Sequence, residues 1–479
     1  MSLSFEVRET DLMGRIGVLT VGKKSVETPC LTPVIHPLSL DITVRELRDL
    51  GFTALMTNSY IIYKRRREEV LERGLHGFIG HDGIVMTDSG GYQVLEYGDA
   101  EVTPEQIADF QSRIGSDLAV TLDTPTGYST SRAYASRTME GSLEAAVSTL
   151  RSSGGSETVW VGPIQGGLFG DLVRSSARRM VKAGFRMVAL GSPVELMEGY
   201  LFSELAEMIV NARKSIPFSM PLHLFGAGHP LTTPLSIALG CDTFDSASYI
   251  LFAKEGRYMT ERGTLDIRTM AYLPCSCPVC NATSRADLVE MESGERTRRM
   301  ALHNLHVLRA DVLRCKEAIV EGRLWDLVEE RAMAHPRLAV AFRALTKHAR
   351  WLSKPTRLLK DRGMLLRTPE DAGRPELLLA NQHLAPVVRR RAKEARVLAT
   401  PVARPSPKSA ASARVVDYYR VHPELGPFPA ELQFVFPFTQ TVSDRDVEPR
   451  IRDAVRRLRA MGYSRVTVVR NKKKPPRNR

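Results

Sequence analysis

The chain has 479 residues, more than one ordinary domain needs, and 43% of them are hydrophobic, enough for a large buried core. Its formal net charge of +13 suits an anionic partner, nucleic acid before acidic membrane. No apolar run reaches the roughly 18 residues of a membrane span, the charges in MSLSFEVRETD speak against an export signal, and the six cysteines are too few for a disulfide scaffold in so long a chain.

In chain order, the first 30 residues read as a β-hairpin, with a strand over 14–21, a Gly22-Lys23 turn and a strand over 26–28. Eight short apolar runs follow, at 31–35, 52–57, 84–87, 118–122, 159–164, 185–190, 221–225 and 241–244. Six of them end directly in Asp88, Asp123, Gln165, Gly191, Gly226 and Asp245. Amphipathic stretches fill the gaps. Thr103-Pro104-Glu105 is a capped helix start, and 168–183 and 195–215 carry apolar residues at helical spacing. Strands alternating with helices, with chemistry at the strands' C-terminal ends, predict a (β/α)8 barrel of the TIM type over 1–270.

Past Asp245 the character changes. A cysteine-rich loop and a long amphipathic helix over 296–321, ended by Gly322, predict a metal-binding helical subdomain over 271–330. A basic, mainly helical connection is expected over 331–396, and a Pro/Ser/Ala-rich linker over 397–414. A small α/β domain over 415–470 should hold a strand at 432–438, a helix at 446–461 and a strand at 465–470, followed by a basic tail at 471–479.

Four constellations carry chemistry. Cys275, Cys277 and Cys280 place three thiols within six residues, and either His303 or His306 on the following helix completes a closed tetrahedral set suited to structural Zn2+. Thiols kept free for metal point to a reducing cytoplasm. Thr87-Asp88-Ser89-Gly90-Gly91-Tyr92-Gln93 sets a carboxylate before a Gly-Gly that lets backbone approach a ligand, with Tyr92 able to stack on a planar one. Gln165, before Gly166-Gly167, offers a donor and an acceptor to a base edge, and Asp123 can accept two N–H bonds. Asp245 shares the rim with Asp88, so that one carboxylate can attack while the other moves protons. Downstream, Lys254, Arg257 and Arg262 interleave with Tyr249, Phe252 and Tyr258, a mixture suited to an RNA backbone. Each has a plainer reading: an Asx turn for Asp88, a loop cap for Asp123, a phosphate loop at Gly166-Gly167, a solvated basic loop at 254–262.

TDSGGYQ at 87–93, Leu122-Asp123, PIQGG at 163–167, FDSASY at 244–249, CSCPVC at 275–280 and His303-Asn304-Leu305 occur together and in this order. In this the chain resembles the tRNA-guanine transglycosylases over about residues 5–325. FDSASYILFAKEGRYMT, GSPVELMEGY and the long extension past the cysteines are similar to the archaeal form, the archaeosine tRNA-guanine transglycosylases. The resemblance implies that Asp245 is the nucleophile attacking C1′ of the target nucleoside and that Asp88 is the acid/base group. It places Asp123, Gln165, Tyr92, Ser89, Gly191 and Val194 at the base, and zinc on Cys275, Cys277, Cys280 and His303. The implied reaction replaces guanine 15 in the tRNA D-loop by 7-cyano-7-deazaguanine, the first step toward archaeosine, by a cytoplasmic homodimer. Two departures stand out. Pro193 removes an N–H from the loop where family members supply backbone donors. The usual C-terminal PUA module is expected to be absent or on a separate chain. Other readings are a non-catalytic RNA-binding subunit, which would have lost the nucleophile, a paralogue acting on tRNA that already carries the cyano base, and a transglycosylase acting on an anticodon guanine.

Overall fold

The computed structural model describes residues 2–39, 41–91, 102–357, 360, 364–380, 392–399, 416–434 and 446–470. The chain forms two compact units, Met1–Val320 with Leu327–Ala344, and Glu321–Asp326 with Leu345–Arg479.

The first unit begins with an antiparallel sheet of β1 (Leu3–Asp11), β2 (Gly14–Val21) and β3 (Lys24–Thr28). The expected hairpin is therefore a three-stranded sheet. Leu3, Phe5 and Val7 alternate with Ser4, Glu6 and Arg8, the period of a half-buried strand. Buried Arg15 on β2 reaches Asp242 through its Nε at 2.9 Å, pinning this sheet to the start of the last barrel strand. Removing either partner would leave an unpaired buried charge, at about 3–5 kcal/mol.

The barrel strands are β4 (Cys30–Pro33), β5 (Ala54–Asn58), β6 (Ile84–Asp88), β7 (Leu118–Val120), β8 (Val159–Ile164), β9 (Met187–Leu190), β10 (Leu222–Leu224) and β11 (Thr243–Ser246). All eight overlap the apolar runs, and β11 extends two residues past its own, so that Asp245 lies within the strand. They lie in the order β4-β11-β10-β9-β8-β7-β6-β5, every pair parallel. A parallel bridge between Val34 and Met56, with Ile35 N donating to Met56 O at 2.8 Å, closes β4 onto β5. The strands are apolar on both faces, and β8 is buried throughout, because side chains fill the barrel and helices cover it. Met56, Met86, Val120, Val161 and Ala189 pack in the interior core, and Leu19, Val21 and Val26 from the N-terminal sheet join it. That leaves the opposite rim, where the strands end in polar residues, for chemistry.

The expected helix over 195–215 is two, Val194–Glu198 and Phe202–Arg213. Tyr200 between them has φ +56°, which no helix continues through. After β11 come an antiparallel pair, β12 (Arg257–Thr260) and β13 (Gly263–Asp266), and the long helix Ser293–Glu321. Gly322 ends that helix with φ +69°.

The second unit holds a four-stranded sheet, β14 (Glu394–Leu398), β15 (Val416–His422), β16 (Gly426–Pro429) and β17 (Arg465–Val469), ordered β16-β15-β14-β17. Ala395, Val397 and Tyr419 of this sheet pack with Leu458 of the helix Glu448–Ala460. The sheet thus starts ahead of the expected domain boundary, and the stretch read as linker overlaps it: Val397 is fully buried in β14. The strand expected at 432–438 is corrected over its first three residues, since Ala430–Phe434 is a single 3-10 turn, and 435–438 lie outside the described residues. Residues 400–415, 435–445 and the basic tail lie outside the described residues. Buried Arg374 meets Asp326 at 2.8 Å and Glu376 at 3.0 Å, and Lys360 shares Glu376 at 2.9 Å, so every buried charge in this cluster is paired. Among the described residues no helix is long and apolar enough to cross a membrane.

Candidate active site and metal centre

Asp88 ends β6, and the next strand end holds it. Asn58 caps the helix Ser59–Arg65 through its Oδ1 and donates from Nδ2 to Asp88 Oδ2 at 3.1 Å. Ser59 Oγ donates to the Asp88 carbonyl at 2.6 Å. Burial, and then the neighbouring Asp123 and Asp245 charges, push the Asp88 carboxyl from 3.8 up to about 7, against opposing bonds from the Gly90 and Ser89 amides. Gly90 sits at φ +87°, and a Cβ there would come within 2.4 Å of Tyr60 Cβ. A Cβ on Gly91 would strike Asp123 at 2.5 Å. The Gly-Gly therefore brings the backbone against Tyr60 on one side and the Asp123 loop on the other. Ser89 is buried with its hydroxyl on the Thr121 carbonyl at 3.4 Å, so what it offers the site is its amide. Tyr92 lies outside the described residues.

Gln165 and Asp123 form one unit. Gln165 Nε2 donates to Asp123 Oδ2 at 2.6 Å, while Gln165 Oε1 accepts from Thr126 N and Ser192 Oγ, each at 3.1 Å. The amide orientation is thereby fixed, and the acceptor expected to face a ligand is already occupied. What remains for a planar ligand is one Nε2 hydrogen and Asp123 Oδ1. That pair matches a carbonyl next to N–H donors, as on the edge of guanine. Burial lifts Asp123 from 3.8 to about 6, against the opposing Gln165 bond.

The Gly191 loop departs from expectation. Gly191 N donates to Ile164 O at 3.0 Å, continuing the β8–β9 ladder, so its amide is not free. Its missing side chain is what matters: a Cβ would lie 2.3 Å from Gln165 Nε2. Ser192, which the sequence did not single out, adopts φ +64° to aim its hydroxyl at Gln165. Pro193 precedes the short helix Val194–Glu198, so the missing N–H falls at a cap and the next amide along the chain is that of Val194 in the first turn.

Asp245 on β11 is 8% exposed. Its Oδ1 accepts from His223 Nε2 at 3.0 Å and from Gly226 N at 2.9 Å. Gly226 reaches it by adopting φ +62°. Beyond Asp245, Ser248 Oγ donates to Gly228 O at 2.7 Å and Tyr249 OH to Val34 O at 3.0 Å, anchoring the strand end to its neighbours. His223 was hidden inside an apolar run. Its signal was being the one ionisable residue there.

Of the three cations read as RNA contacts, Lys254 pairs with Asp41 at 3.3 Å. Arg257 lies 3.6 Å above the Phe252 ring, and Arg262 is exposed.

The metal centre assembles as the cysteine spacing suggests. One ligand atom each from Cys275, Cys277, Cys280 and His303 lie within 4.8 Å of one another, so the cluster could hold a metal ion. His303 Nδ1 faces Cys277 and Cys280 Sγ at 3.5 and 3.4 Å, while Nε2 bonds the Met259 carbonyl at 2.9 Å. That carbonyl fixes the tautomer and leaves Nδ1 for the ion, which decides between His303 and His306. Tyr258 stacks on His303 at 3.7 Å. The next residue, Asn304, bonds Tyr249 O, Arg257 O and Met259 N. Adjacent residues of one helix thus bind the cluster and clamp β12 and the helix that follows Asp245.

The chain is similar to known proteins over most of its length. A family model described as queuine tRNA-ribosyltransferase matches residues 11–337. The chain is 46% identical over 351 residues to a tRNA-guanine(15) transglycosylase of Aeropyrum pernix, covering 73% of this chain and 68% of that protein. It is 41% identical to one of Methanocaldococcus jannaschii, covering 80% of this chain but only 60% of that longer protein. A Sulfolobus acidocaldarius protein of the same name is 34% identical over 97% of this chain and 95% of its own length.

Proposed function

The chain belongs to the queuine tRNA-ribosyltransferase family, and from that membership we propose that it exchanges a base in tRNA, replacing the guanine at position 15 of the D-loop by 7-cyano-7-deazaguanine. One observation carries the reading. At a single rim, Asp88 has a proton affinity near neutrality, while Asp245 has one oxygen held by two donors and accepts no bond on the other among the described residues. Such a pair divides into a proton carrier and a nucleophile.

In the proposed mechanism Asp123 and the free Gln165 N–H grip the base edge. Asp245 attacks C1′ and guanine departs with the glycosidic electron pair, taking a proton at N9 from Asp88. The incoming base gives its N9 proton to Asp88 and displaces Asp245 from the same carbon. Two inversions retain configuration, the logic of a retaining glycosidase. The test is incubation of an archaeal tRNA transcript with labelled guanine, then mapping of the label. Incorporation at position 15 is the expected result. Label in the anticodon would reassign the substrate, and no incorporation would remove the activity.

We further infer that the metal is zinc. Three thiolates and one imidazole make a closed tetrahedral set with no open position, so the ion would hold the β12 region against the helix Ser293–Glu321. Metal analysis should find about one zinc per chain, and Cys277→Ser should lose it and lower the melting temperature by several degrees. A metal-free protein of undiminished stability would refute the site.

A further inference from the structure

His223 is fully buried, and both of its ring nitrogens have partners. It lies on β10 directly opposite Thr243 of β11, the two being paired in register. Thr243 and Asp245 are two residues apart on one strand and so face the same way. Nδ1 meets Thr243 Oγ1 at 2.8 Å, and Nε2 meets Asp245 Oδ1 at 3.0 Å. If the threonine hydroxyl donates to Nδ1, the neutral ring must carry its proton on Nε2, where it donates to the carboxylate. Packing alone would be met by an apolar side chain. This arrangement spends two strands on orienting a single N–H.

We propose that His223, with the Gly226 amide, forms a two-donor clamp on Asp245 Oδ1 that acts chiefly on the second displacement, the release of Asp245 from the ribosyl ester. The clamp is a positioning device and rests on the reading of Asp245 as nucleophile. Because Oδ1 is occupied, Oδ2 attacks: its electron pair forms the Oδ2–C1′ bond as the C1′–N9 pair leaves with guanine. Oδ1 is then the ester carbonyl. In the second displacement the N9 pair of the incoming base bonds C1′, the C1′–Oδ2 pair returns to Asp245, and the N9 proton goes to Asp88. A hydrogen bond to a carboxylate is stronger than one to an ester carbonyl. Both donors therefore favour the free carboxylate over the ester. They speed the ester's breakdown and keep it from accumulating, while fixing which oxygen attacks.

The experiment follows the denaturation-resistant protein–tRNA adduct by rapid quench, with labelled guanine as the second substrate. In His223→Phe, adduct breakdown on adding guanine should slow about ten-fold, the loss of one charge-assisted hydrogen bond. The steady-state adduct fraction should rise several-fold, kcat should fall, and KM for tRNA should stay within two-fold. His223→Gln can present an amide N–H near the same place and should recover most of the breakdown rate. Thr243→Val leaves the ring but removes its orienting hydroxyl, and should move the same way by a smaller amount. Equal slowing of formation and breakdown, no change in adduct fraction, or no difference between Phe and Gln would overturn the clamp. If the wild-type protein forms no adduct, or Asp245→Asn still forms one, the nucleophile assignment fails instead. If Phe at 223 prevents folding, the Gln and Thr243→Val variants decide the matter.

Discussion

Asp245→Asn should form no denaturation-resistant adduct with tRNA and should lower base exchange at least 10^3-fold, the scale seen when a covalent nucleophile is removed. The carboxamide keeps one oxygen able to accept from His223 Nε2 and Gly226 N, the two bonds that hold Asp245 in place. Its nitrogen replaces the oxygen with no partner among the described residues, and an amide nitrogen has no available pair with which to attack C1′. Fold and tRNA affinity should therefore survive, with KM or Kd changed no more than a few-fold. This separation makes the test sharp. Adduct formation by the variant would show that another group attacks. Loss of tRNA binding together with activity would show that the side chain holds the pocket together and does no chemistry of its own.

The barrel was legible because its strands are short, apolar on both faces and terminated by polar residues, a signal that survives without any tertiary information. The cysteine cluster was legible for a similar reason, since Cys275, Cys277 and Cys280 are local in sequence. What escaped the sequence was decided by geometry between distant segments. His303 and His306 are one turn apart, and only the Met259 carbonyl, 44 residues away, separates them. Gly191 reads as a residue at the base, yet the neighbouring strand takes its amide and Gln165 needs its empty side. Ser192 at φ +64° has no sequence signature at all, because serine is not the residue that conformation favours. Leu3–Asp11 had the alternation of a strand, but its charges drew the reading toward what the terminus is not. In the second unit, β14 runs into a Pro/Ser/Ala-rich stretch, and composition outweighed the buried residues Val397 and Leu398 at its start. Asn304 carries three hydrogen bonds to three different backbone groups, a role that no motif spacing displays.

Asp88→Asn should lower exchange by 10^2- to 10^4-fold while leaving tRNA affinity nearly intact, the usual range for a lost acid/base group. The wild-type pH dependence gives the finer test. With its carboxyl lifted from 3.8 to about 7, chiefly by burial and then by Asp123 and Asp245, Asp88 is about half protonated at neutral pH. Adduct formation needs the proton, so its rate should fall as pH rises through about 7. Adduct breakdown by the incoming base needs the carboxylate, so its rate should fall as pH drops through about 7. Opposite limbs in the two half-reactions are expected in wild type, and both should flatten in Asp88→Asn. Stability should fall as pH rises. A carboxyl whose affinity for protons is higher folded than unfolded makes the folded chain bind more protons between about 4 and 7, so stability declines as pH rises across that window. At 1.36 kcal/mol per pH unit, the gap from 3.8 to about 7 bounds the effect near 4 kcal/mol. Partial hydration of the rim brings the expectation to about 2 kcal/mol. Asp88→Asn should accordingly melt about 2–6 °C higher than wild type at pH 8 and at nearly the same temperature at pH 4, where both side chains are neutral. A variant less stable than wild type at pH 8 would mean that the Asn58 and Ser59 contacts hold Asp88 as a structural residue, and that the cost of burying its charge is not the dominant force at this site.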